Sequence, residues 1–235
     1  MKPFVRARLL MYLGLFALLF IAAAPVNTAS AAPAGLLYPT ADVLIDAGHG
    51  GVDGGCTFSD ILEKDINLAV AQKLYAHLRA QGWNPVLNRT GDYALSEENH
   101  WAKASRHNRD LAQRKLAADS LQPRMLVSLH VNWSKRKSAN GPVVLYQYTQ
   151  PSYMLSLLLQ QRLNTLYKTN ETVQYGKPYY LLNRTRIPAV IVELGFISNA
   201  RDRNFLTTAH GQDALAEVLA DGINGYLLLF DSPRS

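Results

Sequence analysis

Ile66, Val70, Leu74 and Leu78 recur at four-residue steps and predict the buried face of a helix that stops near Gln81 and Gly82. Before it, residues 42 to 46 (DVLID) form a short apolar run cut off by a glycine loop, the pattern of a buried strand. After it, residues 83 to 87 (WNPVL) resume as a strand, so the first unit reads strand, helix, strand, the order of a right-handed parallel crossover. Residues 89 to 107 are polar and read as an excursion from the scaffold. A helix over roughly 109 to 118 then leads to strands at 124 to 130 (RMLVSLH) and 142 to 148 (PVVLYQY). Leu155, Leu159, Leu163 and Leu166 predict a further helix with Pro151 near its first turn. Residues 189 to 193 (AVIVE) are continuously apolar up to Glu193, as in a central strand covered on both faces, and a last helix carries Leu215, Leu219, Ile223 and Tyr226.

This alternation predicts an α/β fold, a three-layer sandwich whose mostly parallel central sheet is flanked by helices. At 235 residues and 48% hydrophobic content the chain suits one well-buried domain, over residues 42 to 231. Residues 1 to 31 stand apart: Lys2, Arg6 and Arg8 precede an uncharged run from Leu9 to Ala24, and Ala29-Ser30-Ala31 offers a cleavage site. That is the layout of a secretory signal, with a retained membrane anchor as the rival, and residues 32 to 41 read as a linker. Three of the six net positive charges fall in this leader, which leaves a mildly basic remainder. Such a surface suits an anionic wall polymer and lacks the concentrated basic face of a nucleic-acid binder. Cys56 is the single cysteine, so no internal disulfide is available.

In an open α/β sheet, functional groups collect beyond the carboxyl ends of the strands. His49 follows the first strand by three positions, His130 closes RMLVSLH, Glu193 closes AVIVE, and Glu63 stands at the start of the first helix. Two imidazoles and one carboxylate make the donor set of a catalytic zinc with a position left for water. Each residue also has a plainer role. Glu63 lies three residues after Asp60, the spacing of a capping box; His49 can serve as a turn residue; His130 can be a satisfied buried histidine. Glu193 is harder to explain away, because a carboxylate buried without a partner costs several kcal/mol. The glycine loop does not read as a phosphate loop: Asp53 stands where G-x-G-x-x-G needs its last glycine, and no G-x-x-x-x-G-K-[ST] occurs. No G-x-S-x-G occurs either, and His77, His100, His107 and His210 read as solvated.

DAGHGG (46 to 51), LEKDINLAVAQKL (62 to 74), NRTGD (88 to 92), SLHVN (128 to 132) and PAVIVELGFISNARD (188 to 202) occur in that order. In these segments the chain resembles the zinc-dependent N-acetylmuramoyl-L-alanine amidases called amidase type 3, over nearly all of residues 42 to 230. RDLAQRK (109 to 115) and GPVVLYQ (141 to 147) are most similar to the cortex amidases of spore-forming bacteria. The resemblance implies one Zn2+ on His49, Glu63 and His130, Glu193 as the catalytic carboxylate, and peptidoglycan as substrate, cut between N-acetylmuramic acid and L-alanine. It also implies export to the cell wall or the space around a forespore, and an accessory lipoprotein as a partner. Asn132, two residues past His130, is assigned to substrate binding from its position. Ala47 where a proline is common, and a loop shortened toward Gly54-Gly55-Cys56, depart from the family pattern and leave all four groups in place. Rival readings are an inert wall-binding module on the same fold, a zinc peptidase of the stem peptide, for which neither H-E-x-x-H nor H-x-x-E is present, and a membrane-associated adaptor.

Overall fold

The structure, a computed structural model, describes residues 41–98 and 105–230. The leader and nearly all of the linker, and residues 99–104 of the polar excursion with His100 among them, lie outside the described residues.

Alternation along the strands sets the architecture, since successive side chains point to opposite faces. Strand β1 (Val43–Ala47) sends Val43, Ile45 and Ala47 to one face and Leu44 to the other. Strands β5 (Met125–Asn132) and β8 (Ala189–Phe196) repeat the division: Met125, Val127, Leu129, Val190, Val192 and Leu194 join the first core, and Leu126, Ala189 and Ile191 join the second. The remaining elements are a two-stranded hairpin of β2 (Thr57–Phe58) and β3 (Ile61–Leu62), helix α1 (Glu63–Ala80), β4 (Pro85–Leu87), a 3-10 turn at Leu95–Glu98, and α2 (Arg106–Leu121). They continue with β6 (Val143–Tyr146), α3 (Gln150–Tyr167), β7 (Gln174–Tyr175), the short α4 (Tyr180–Arg184), α5 (Ala200–Thr207) and α6 (Ala209–Phe230).

The six-stranded sheet has the order β4-β1-β5-β8-β6-β7. β4, β1, β5 and β8 run parallel, while β6 pairs antiparallel with β8 and carries β7 parallel to itself. The mostly parallel sandwich is therefore present, and AVIVE is an interior strand as its composition requires. It does not end at Glu193, however, but runs on to Phe196.

Helices α1, α3 and α6 cover the larger core through Ile66, Val70, Leu74, Leu78, Leu155, Leu159, Leu163, Leu215, Leu219 and Ile223, all essentially without exposed surface. Burying each such leucine or isoleucine contributes about 2 kcal/mol. The α3 stripe ends on Tyr167 rather than Leu166, because four-residue steps from Leu163 land there, and Tyr167 donates its buried hydroxyl to Leu194 O at 2.7 Å. Helix ends follow local chemistry. Ser105 caps α2 by accepting from Asn108 N, Thr149 caps α3 by accepting from Ser152 N, and α2 and α3 stop at left-handed Gln122 and Lys168. Among the described residues, the helices that cover the second face are α2 and the single turn of α4, through Ala118, Leu181 and Leu182. Among the described residues no helix is long and apolar enough to cross a membrane.

Candidate active site

The strand alternation that sends Leu126 to the thinly covered face also sends Ser128 and His130 there, and in β8 it sends Ile191 and Glu193. Register then makes His130 and Glu193 direct neighbours at the carboxyl ends of their strands, with Asp46 beside Ser128 one step back. Immediately beyond His130 the β5–β8 register shifts, two residues of β5 spanning three of β8, so a bulge ends the regular ladder at this point.

Glu63 opens α1, and no capping box forms: Leu62 occupies the cap position and makes no side-chain cap bond. The carboxylate instead turns toward the imidazoles. Its Oε1 lies 3.0 Å from His49 Nε2 and 3.0 Å from His130 Nδ1, and accepts from Val131 N at 3.0 Å, while Oε2 accepts from Cys56 N at 2.7 Å. The two rings stand edge to face with centroids 5.0 Å apart. Burial alone would raise the pKa of Glu63, but the hydrogen bonds and charges of His130 and His49 prevail and hold it far below the carboxylate range. His49 is desolvated, which lowers its pKa, yet Glu63 and Asp53 on its two nitrogens outweigh that and raise it.

The glycines around His49 have a steric reason. A Cβ on Gly48 would stand 2.6 Å from His130 Nε2, and one on Gly55, which also has φ +69°, would stand 2.5 Å from Glu63 Oε2. Both imidazole and carboxylate therefore lie directly against main chain, which only glycine permits.

One ligand atom from each of His49, Glu63 and His130 lies within 4.8 Å of the others. Two nitrogens and one carboxylate oxygen on converging side chains suit a tetrahedral zinc with one open position. Their chemistry fits that ion better than magnesium or calcium, which take oxygen donors. Glu193 shares their cavity, of about 410 Å3, with Asn132, Trp133 and Tyr179 on the wall. Burial pushes the Glu193 pKa above the usual glutamate value against the opposing charge of His130, and the neighbouring Glu63 adds to the rise. Asn132 lines the cavity, but its Oδ1 accepts from Trp133 N at 2.8 Å, so one of its acceptor positions is already engaged. His107 is exposed at the same cavity, at the start of α2, whereas His77 pairs with Asp213 at 3.1 Å on the far side of the sequence.

Sequence reasoning misses the groups that hold this arrangement. Asp53 Oδ1 lies 3.2 Å from His49 Nδ1 and orients the ring whose other nitrogen faces Glu63. Arg114, buried in α2, donates to Asp46 Oδ1 at 2.6 Å, Asp110 Oδ2 at 2.6 Å, Ala47 O at 2.9 Å and His49 O at 2.9 Å. Arg89 donates to Ala47 O and Gly48 O at 3.0 Å each and to Lys64 O at 2.8 Å. Two guanidinium groups thus pin the backbone that presents His49. Their sequence signals are indirect: Arg89 follows the end of β4 within NRTGD, and Arg114 sits one helical turn after Asp110 within RDLAQRK.

Arg114→Leu leaves Asp46 and Asp110 buried with a charge partner removed, and a loss of about 3 to 5 kcal/mol is expected in urea unfolding. A loss under about 1 kcal/mol would show that the network does not hold the fold. Asp46 is desolvated, which raises its pKa, but Arg114, Ser128 and His130 pull it below the ordinary value. Its contribution to stability is thus fully present above the unfolded aspartate pKa of about 3.9 and is lost as pH falls through the lower folded value. Unfolding free energies measured from about pH 6 down to about pH 3 should drop less steeply at the acid end for Asp46→Asn than for the parent.

Known proteins resemble the chain over most of its described length. The model of the family described as N-acetylmuramoyl-L-alanine amidase matches residues 43–225. The uncharacterized protein YqiI of Bacillus subtilis is 34% identical over 187 residues, covering 78% of this chain and 84% of its own. The germination-specific N-acetylmuramoyl-L-alanine amidase of the same organism is 27% identical over 186 residues, 78% of each chain. Among solved structures, the CwlD amidase of Clostridioides difficile, in complex with the GerS lipoprotein, superposes with TM-score 0.74 at 34% identity over 80% of this chain and 98% of that one.

Proposed function

The chain belongs to the N-acetylmuramoyl-L-alanine amidase family and is a peptidoglycan amidase, and on that premise we propose that His49, Glu63 and His130 hold one zinc ion and Glu193 carries the proton. The observation that carries the proposal is the convergence of two imidazole nitrogens and one carboxylate oxygen beside a second carboxylate with a raised pKa. Bound there, the ion would supply Lewis acidity and a water whose pKa is lowered toward about 7.

The chain's own groups divide the remaining work. Glu193, fixed on an interior strand, accepts the proton of the attacking water and delivers it to the nitrogen of the departing L-alanine. A raised pKa suits that task, because the group must both take and return the proton. The cleaved bond is the amide between the lactyl carbonyl of N-acetylmuramic acid and L-alanine, so the stem peptide leaves the glycan. Asp53 keeps the His49 ring turned toward Glu63. Asn132 offers its remaining hydrogen-bonding capacity to the substrate at the cavity wall.

The cellular setting belongs to the same proposal: residues 1 to 31 are a secretory signal or a membrane anchor that directs export, residues 32 to 41 link it to the domain, and the substrate is spore cortex. Support comes from the germination-specific relative and from the CwlD structure, whose lipoprotein partner motivates an accessory lipoprotein here. The test is digestion of purified cortex and vegetative peptidoglycan with zinc-loaded protein, followed by mass analysis of soluble products. Stem peptides with free L-alanine amino termini, abolished by a chelator and restored by zinc, are the expected result. Release of peptides cut within the stem would assign a peptidase, and no release at full zinc occupancy would favour an inert module.

A further inference from the structure

Away from the His49 end, the sheet edge carries a second concavity of different chemistry. β6 runs antiparallel to β8, with Val143 beside Glu193 and Tyr146 beside Val190. The Tyr146 backbone therefore stands three residues, about 10 Å, back along the sheet from Glu193 and one strand nearer the edge, and its ring lies on the opposite face, with the larger core, so a glycan reaches both sites only by passing around the β7 edge. There Tyr146, Tyr148 and Tyr153 line a cavity of about 310 Å3 with Thr149 and Gln150. A neighbouring groove of about 610 Å3 shares Tyr146 and Tyr153 and continues along α3 past Gln161 to Asn170 and Thr172.

Four tyrosines from four consecutive pieces of chain meet here. Tyr146 and Tyr153 stand edge to face at 5.1 Å, Tyr148 and Tyr175 lie tilted at 5.2 Å, and Tyr146 and Tyr175 at 6.1 Å. The rings brace one another while Tyr148 remains 78% and Tyr175 44% exposed. Amphipathic rings held in place and left uncovered, each apolar on its face and polar at its tip, are recognition elements rather than core. The wall behind them is fixed. Gln160 accepts from Val144 N at 2.8 Å and donates to Pro142 O at 3.0 Å, and Asn164 donates to Glu171 O at 2.8 Å.

Along the rim, by contrast, the side-chain amides of Gln150, Gln161 and Asn170 make no hydrogen bond within the described protein. Among the described residues Glu171 is the one charged side chain lining either concavity, in a chain whose net charge is +6. A ligand matched to this surface is uncharged, presents flat apolar faces to the rings, and carries many hydroxyl or amide groups for the rim. A pyranose chain has that character; an anionic polymer does not.

We propose that this groove is a second, non-catalytic site that binds the N-acetylated hexosamine backbone of the wall polymer. The choice of ligand rests on the amidase reading, which makes that polymer the substrate. Held there, a glycan raises the local concentration of neighbouring stem linkages at the His49 end, so binding energy remote from the cut bond lowers KM for polymer.

The probe is tetra-N-acetylchitotetraose, which is neutral and carries no peptide, titrated into full-length protein by calorimetry and by NMR of labelled tyrosines. Saturable binding is expected, with Tyr148→Ala/Tyr175→Ala weakening it roughly tenfold and Tyr148→Phe/Tyr175→Phe retaining it. The alanine pair should also raise KM on insoluble peptidoglycan several-fold and leave turnover of a soluble muramoyl-peptide unchanged. No saturable binding, or binding equal in parent and alanine pair, would overturn the proposal. So would loss of self-association in the alanine pair without any effect on sugar binding, which would make the patch an interface between copies. Wild-type protein that binds the oligosaccharide through these tyrosines but cleaves no amide would overturn the amidase reading and uphold the glycan site.

Discussion

Glu193→Gln is expected to bind zinc like the parent and to release stem peptides about 10² to 10⁴ times more slowly, the range that a positioned general base contributes. The amide is nearly isosteric with the carboxylate, so the packing of β8 against β5 and β6 is undisturbed. It removes only the capacity to take up a proton. Because burial already raises the Glu193 pKa, the substitution also relieves a desolvated charge, and the thermal midpoint should hold or rise slightly. Zinc content by elemental analysis, together with kcat on peptidoglycan, checks both halves. Near-normal turnover with full zinc would remove Glu193 from the chemistry.

Glu63→Gln should behave in the opposite way, losing the metal first and the activity as a consequence. Glu63 Oε1 is the atom that both imidazoles face, and its two oxygens also accept from Val131 N and Cys56 N. A glutamine can meet only part of that demand, since its amide nitrogen must point at a donor. Zinc affinity is expected to fall by more than about 100-fold, exceeding the effect of losing an outer partner. Zinc should raise the melting temperature of the parent by mass action and leave that of Glu63→Gln unmoved at the same concentration. Equal zinc-dependent shifts in the two proteins would exclude Glu63 from the metal site, whatever its effect on rate. Together the two substitutions separate holding the ion from moving the proton.

Much of this was legible from hydrophobic spacing because the periodicities are strong. AVIVE could only be an interior strand, and the stripes through Leu74 and Leu219 could only be helix faces packed on a large core. That His49, Glu63, His130 and Glu193 come together in one cavity was legible because each falls at or just beyond the carboxyl end of a strand or at the start of the helix beside it. Elements below about one turn or two rungs were not, since Gln174–Tyr175 and Tyr180–Arg184 carry no period long enough to register. Helix α5 was missed for another reason: only Asp202 and Leu206 are buried along it, too few for a stripe. Nor was the support of the site legible. Arg89 acts through backbone carbonyls, which have no sequence signature, Arg114 adds ion pairs to Asp110 and to the distant Asp46, and Asp53 meets His49 across a glycine turn in which His49 takes a left-handed backbone, φ +61°.

The unequal cladding of the sheet has a dynamic consequence. Three long helices seal the side opposite the imidazoles, while α2 and one turn of α4 shield the side that carries them. Hydrogen exchange should accordingly be slowest in β5, β8, α1 and α6 and fastest around α4, with openings there that do not require global melting.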